Sequence, residues 1–308
     1  MKYIKKLIPL IILTLLLISM LIFADKVIIN VNLAVDICIN NLLPSMLPFL
    51  ILSTILSNYG FIEIISKIMH PIMKHLFHLN SNCAYIIILS MLSGSPANSK
   101  YITQLLNNNK ITIDDANKVL LFSHFVNPIF IIGTVGTVFL NNKLYGYLIL
   151  VSHYLANIII GIFTRNKNIP KDKITISFNT PPKNFITVLK SAIKDTIDTL
   201  FIVFGTITCC LVVLSIINSY FSFNPILYGI LEMTSGLKYI SISNIEVIYK
   251  VIISTFFISF GGISIHAQVF SIIDHKKIRY LPYLEARILQ GLISSIIVYI
   301  LYIITNIT

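Results

Sequence analysis

Eight residues, Ser93-Gly94-Ser95-Pro96-Ala97-Asn98-Ser99-Lys100, stand between apolar runs at 85–92 and 101–106. They constrain the fold more than any other stretch. Hydrocarbon offers no partner for backbone groups freed by Gly and Pro, so such a break must be buried in protein or line a wet cavity. A lysine at a lipid-facing helix centre adds roughly 3 kcal/mol on insertion scales. The plain alternative is a loop joining two helices. The functional one is the tip of a re-entrant hairpin that meets a solute.

Of the 308 residues, 56% are hydrophobic and 11% charged. Several apolar runs approach the length that crosses a bilayer, so the chain is expected to be an all-α polytopic membrane protein. Trp is absent, which leaves the fifteen Tyr to form any interfacial belt. The net charge of +11 gathers at the N-terminus, one central loop and one late loop. Topology signals are distributed in this way, and no nucleic-acid motif accompanies the clusters. Cys38, Cys83, Cys209 and Cys210 lack metal-ligand spacing, and they fit small packed hydrophobes. No metal, cofactor or disulfide framework is expected, and no nucleophile–base pair points to an enzyme.

Lys2, Lys5 and Lys6 precede the apolar run 7–23, which fits a retained signal anchor with a cytoplasmic N-terminus. Residues 25–41 are expected at the far interface, being too polar to span. The run 42–56 carries Pro44 and Pro48 in its first turns. Residues 61–79 repeat Glu63, Lys67, His70, Lys74 and His78 at helical spacing, the pattern of an amphipathic segment at the cytoplasmic face. His70, His75 and His78 fit interfacial polar residues better than a metal site. Thr112 is placed to cap a helix with Asp114 and Asp115 in its first turn.

Three further polar breaks follow. Asn127-Pro128 interrupts the run that resumes at 129–140, Glu232 to Gly236 ends a short apolar piece at 226–231, and Gly261 to Gln268 interrupts the run after 247–260. Residues 165–194 hold seven basic residues against Asp172 alone, and form the expected cytoplasmic linker. His275, Lys276, Lys277 and Arg279 mark a second cytoplasmic loop.

Counting crossings from a cytoplasmic N-terminus divides the chain into 1–35, a first repeat at 36–164, the linker at 165–194 and a second repeat at 195–308. Each repeat reads span, polar hairpin, broken helix, span, with opposite starting sides. Inverted-topology repeats with re-entrant hairpins and discontinuous helices are an architecture of secondary transporters, with the solute near the midplane. A channel also tolerates such breaks, but no selectivity-filter signature is present.

The 93–100 octapeptide resembles the S-G-(aromatic)-P-x-(small)-(small)-K motif of the YlbJ family of sporulation integral membrane proteins. Ser123-His124-Phe125-Val126-Asn127-Pro128-Ile129-Phe130-Ile131 resembles that family's next segment, and the likeness spans about residues 36–305. Ser95 stands at the usual aromatic position and Asn98 at a usually small one. The family includes a dipicolinate transporter of endospore formers. It falls in the nucleoside-recognition or gate-domain superfamily, similar to concentrative nucleoside transporters, a likeness that shows best at 259–264. The resemblance implies movement of dipicolinic acid from the mother cell across the outer forespore membrane.

The substrate-binding residues expected on this basis are Ser93, Gly94, Ser95, Pro96, Asn98, Lys100, Asn127, Pro128, Glu232, Ser235, Gly236, Gly261, Gly262, His266 and Gln268. Lys100 is the expected countercharge for a dianion. Glu232 is expected to bind a coupling cation or proton, to pair with Lys100, or to be satisfied by its own hairpin. The expected partners are a small anionic solute and the bilayer, with a homo-oligomer compatible and nucleic acid excluded. The alternatives are carriage of nucleosides or another small polar metabolite, and a non-transporting scaffold for spore assembly.

Overall fold

The computed structural model describes residues 2–165, 184–221, 225–273 and 276–307. Fourteen α-helices and three π-helical segments account for nearly all of them, with no strand among the described residues. Five helical stretches are long and apolar enough to cross a membrane: Ala24–Asn58, Lys143–Phe163, Phe185–Tyr220, Val247–Ile272 and Tyr280–Thr305. The chain is an all-α polytopic membrane protein.

Helix α1 (Lys2–Ile22) presents most of its Leu and Ile side chains outward, as a lipid-facing helix does. Residues 25–41, expected as an interfacial stretch, are instead helical. Helix α2 (Ala24–Asp36) passes through a π segment (Ile37–Leu42) into α3 (Leu43–Asn58). Pro44 explains the wide turn, because it has no N–H to donate and its ring crowds the carbonyl four residues back. The polar residues of α2 are accommodated along α9 (Phe185–Tyr220), where Lys26 Nζ donates to Ser219 Oγ at 2.9 Å. Ala34 and Ile37 pack with Val203, Ile207, Leu211 and Leu214 there.

Helix α4 (Phe61–Ile72) and a π segment (Met73–Phe77) form the amphipathic piece, with Pro71 just before the wide turn. His70 Nδ1 lies 2.7 Å from Ser81 Oγ, and Glu63 pairs with Lys110. The first hairpin is α5 (Cys83–Ser93) and α6 (Ala97–Asn107). Helix α7 (Ile113–Phe122) starts at Thr112, whose side chain and that of Asp115 form a reciprocal capping box. After the break at Asn127-Pro128 the chain continues as a π segment (Phe130–Phe139) and turns into α8 (Lys143–Phe163).

In the second half, α9 has 36 residues, about 54 Å of helix against a hydrocarbon core of about 30 Å. It starts at Phe185, so the end of the expected linker is helical, while 166–183 lie outside the described residues. Helices α10 (Pro225–Leu231) and α11 (Met233–Ile242) form the second hairpin. Helices α12 (Val247–Phe260) and α13 (Gly262–Ile272) are the two parts of the second broken helix, and α14 (Tyr280–Ile307) closes the chain.

Contacts between the halves come in matched sets. Helix α8 packs on α14 and α3 on α9, while α6 meets α13 and α11 meets the Phe130–Phe139 segment. Close approach is made at glycines. A Cβ on Gly146 would stand 2.8 Å from Ile132 Cα, and one on Gly136 would stand 2.7 Å from Gly146 Cα. Gly146→Val therefore forces α8 off the π segment. We expect a loss of about 1–3 kcal/mol, read as a lower unfolding temperature of the detergent-purified protein.

Candidate functional site

The first hairpin turns at Gly94, whose φ of +81° favours glycine and whose Cα faces Asn127: an added Cβ would lie 2.9 Å from Asn127 N. The Ser95–Pro96 peptide is cis. Ser93 Oγ donates to Leu89 O at 2.7 Å, and Ser95 N–H donates to Phe125 O at 2.6 Å.

The unwound stretch between α7 and the π segment frees backbone groups in the membrane interior, and side chains take them up. Val126 N–H donates to His153 Nε2 at 3.1 Å, and Asn157 Nδ2 donates to His124 O at 2.6 Å. Asn127 Nδ2 donates to Ser45 O and Leu92 O at 2.9 and 2.6 Å, while its Oδ1 accepts from Ile129 N–H at 2.8 Å. Asn127 thus ties α3, the hairpin and the resumed helix together. Pro128 fits because it has no N–H to satisfy.

The second break is built around Gly261 and Gly262, with φ of +88° and +71°. Gly261 packs on the His124 ring, and Gly262 on Met233 N at the second hairpin tip. The two breaks meet here: His124 Nε2 lies 3.4 Å from Ile258 O and its Nδ1 2.9 Å from Ser95 Oγ, and His153 Nδ1 lies 2.9 Å from Ser259 Oγ. At the second tip Glu232 caps α11, accepting from Thr234 N–H at 3.1 Å and Ser235 N–H at 2.6 Å.

A small chamber of about 40 Å³ lies where these pieces meet. Ser93, Gly94, Ser95, Asn127, Glu232 and Gln268 line it among the expected residues, with Val126, Met233, Thr234 and Ile265 beside them. Leu42, Ser45 and Met46 at the start of α3, Phe130, and Val203 and Ile207 of α9 complete its walls. Gln268 is 2% exposed and lines the chamber with no hydrogen bond to a described residue. The half-helices α6, α11 and α13 and the Phe130–Phe139 segment all start at these breaks, so their N-terminal N–H groups lie around the site.

The other expected residues serve the walls. Pro96 precedes α6, and Asn98 Nδ2 reaches Ser123 Oγ at 3.3 Å, joining hairpin to break. Lys100 is outside the chamber. Its Nζ donates to Thr54 Oγ1 at 3.2 Å, within electrostatic reach of Asp195 and Asp198. Glu232 and Lys100 form no ion pair in the structure, so of the roles expected for Glu232 the geometry displays the capped hairpin. Ser235 supplies a backbone donor to that cap and lines an outer pocket of about 280 Å³ with Asp36, Asn40 and Lys238. Gly236 is in contact with Gly229, which lets α10 and α11 meet. His266 lies 2.9 Å from Phe260 O and 3.2 Å from Tyr280 Oη, on the rear of the break.

One cluster lay beyond the sequence reading. Arg287, Gln290 and Ser294 of α14 are all buried, and they connect to His153 and Ser259. Their spacing, three and four residues apart on one face of an apolar helix, was the available signal.

Among known proteins, residues 39–143 match the family model described as Gate, nucleoside recognition. This places a gate-type segment in an integral membrane protein. The chain is also similar to the sporulation integral membrane protein YlbJ of Bacillus subtilis (strain 168), at 28% identity over 299 residues, covering 84% of this chain and 73% of that protein. No solved structure matches the chain. The resemblance read from the two motifs is therefore supported by comparison over most of the sequence.

Removing the amide that ties three elements together should loosen the site from its centre. Asn127→Ala is expected to cost about 1–3 kcal/mol through unpaired backbone groups, measured as a fall in unfolding temperature in detergent. Asn127→Asp, which keeps one acceptor but no amide donor, is expected to fall as far.

Proposed function

We propose that the chain is a sporulation membrane transporter that carries dipicolinic acid from the mother cell across the outer forespore membrane. The observation that carries this reading is the chamber between two hairpin tips and two helix breaks, with the unpartnered amide of Gln268 in its wall. Dipicolinate is a flat dianion at neutral pH. Half-helix N-termini and amide donors are the groups that hold carboxylates without a fixed charge. The relative's printed description, a sporulation integral membrane protein, supports the biological setting.

The matched contacts of the two halves support an inverted-repeat transporter, resembling concentrative nucleoside carriers, in which one hairpin and half-helix rock against the other. Lys100 lies on the back of the first hairpin, against α3 and near the α9 carboxylates. We assign it the task of holding that hairpin to its neighbours. Nucleoside transport is a second reading, favoured by the description of the family model.

Deletion in the organism of origin tests the reading, with dipicolinate measured separately in mother cell and spore. Spore dipicolinate is expected to fall to a small fraction while mother-cell dipicolinate is retained. Normal spore content would contradict it. Complementation with Gln268→Leu is expected to restore membrane protein but little spore dipicolinate. A Gln268→Leu strain with full spore content would remove that amide from the site.

A further inference from the structure

A second cavity, of about 630 Å³, lies between α7 and the segment that leads into α14. Lys118, Lys276, Lys277 and Arg279 line it, with Asp114 the one carboxylate among the described lining residues. Asn117 builds its wall: its Oδ1 accepts from Arg279 N–H at 3.0 Å, and its Nδ2 donates to Lys277 O at 3.2 Å. The positive-inside rule puts this basic mouth on the cytoplasmic side. Leu121, at the inner end of α7, also lines it.

Directly behind Leu121 lies Arg287. It is 0% exposed, donates to Leu121 O and Gln290 Oε1, and stands over the Tyr283 ring at 5.3 Å. Its Nε has no acceptor, and no described carboxylate pairs with it. A guanidinium cannot shed its proton to escape burial, and a buried charge held only by neutral groups is poorly compensated. Through Gln290, which donates to His153 O at 3.3 Å, it reaches the first helix break. A cationic mouth, a buried guanidinium and the meeting point of the breaks therefore follow one another inward.

We propose that this cavity is an anion-capture vestibule on the cytoplasmic side, and that Arg287 behind it takes the anion's carboxylate on its way to the chamber. The inference rests on the transporter reading and supplies what that reading lacked, a fixed cation with no counter-ion. The Lys and Arg side chains would raise the local concentration of a dianion, an effect that weakens with salt. Arg287 offers the planar fork that suits a carboxylate.

The test uses the full-length protein in lipid nanodiscs, with labelled dipicolinate and the uncharged pyridine-2,6-dicarboxamide as probes. Joint Lys118→Gln, Lys276→Gln and Lys277→Gln changes alter partly or fully exposed side chains, and the unfolding temperature of the triple variant checks that it stays folded. They are expected to raise the Kd for dipicolinate about tenfold at low salt, to lose that difference near 0.5 M salt, and to leave diamide binding as in the parent. Arg287→Gln, where it remains monodisperse, is expected to weaken dipicolinate binding about tenfold or more at both salt levels. A parent and triple variant that bind dipicolinate equally at low salt would overturn the vestibule. A folded Arg287→Gln protein with parental affinity would remove Arg287. A parent that binds no dipicolinate would overturn the solute reading itself and the inference with it.

Discussion

Everything at the centre of this protein follows from one constraint: a helix broken inside a bilayer must find partners for the backbone groups it frees. Asn127 satisfies two of them, Leu92 O and Ile129 N–H, and also reaches Ser45 O of α3; His153 and Asn157 satisfy one each, and the Ser95 N–H one more. Those partners come from different elements, so each break also fixes the positions of its neighbours. The site is where the bonds that replace helix bonds converge, and it inherits its rigidity from them. Lipid-facing α1 carries no such network and packs on the rest through few elements.

The same constraint separates groups that are consumed by structure from groups left for a solute. Glu232 is buried and charged in type, yet both its oxygens are taken by the N–H groups of α11. Asn98 and Lys100 are committed to Ser123 and Thr54. Gln268 is not committed, and it faces the chamber. Arg287 is half committed, to neutral acceptors only. An amide in the chamber wall and a buried guanidinium are groups that suit an anion.

Much of the architecture was legible because breaks are local. Gly94, Asn127-Pro128, Glu232 and Gly261 each announce themselves as polar or conformationally special residues in apolar sequence, and each marks a real helix end. Thr112 was legible as a cap for the same reason. Residues 25–41 were not, because their polarity looks interfacial until α9 is there to pack against and Pro44 widens the turn. Membership of the site depends on which face of a half-helix looks inward. Six expected residues line the chamber, whereas Pro96, Pro128 and His266 do not. Arg287 was passed over because a single arginine does little to the hydropathy of a long span, and its burial is a property of the packed bundle.

The chamber is the central claim, and accessibility measures it most directly. Ser45 lines it from α3, and its side chain bonds only to carbonyls of the preceding turn, so Ser45→Cys disturbs little. In a background with Cys38, Cys83, Cys209 and Cys210 replaced, that thiol should react with a small membrane-impermeant reagent, and dipicolinate should slow the labelling in proportion to its occupancy. Labelling at an unchanged rate in saturating dipicolinate would contradict the account.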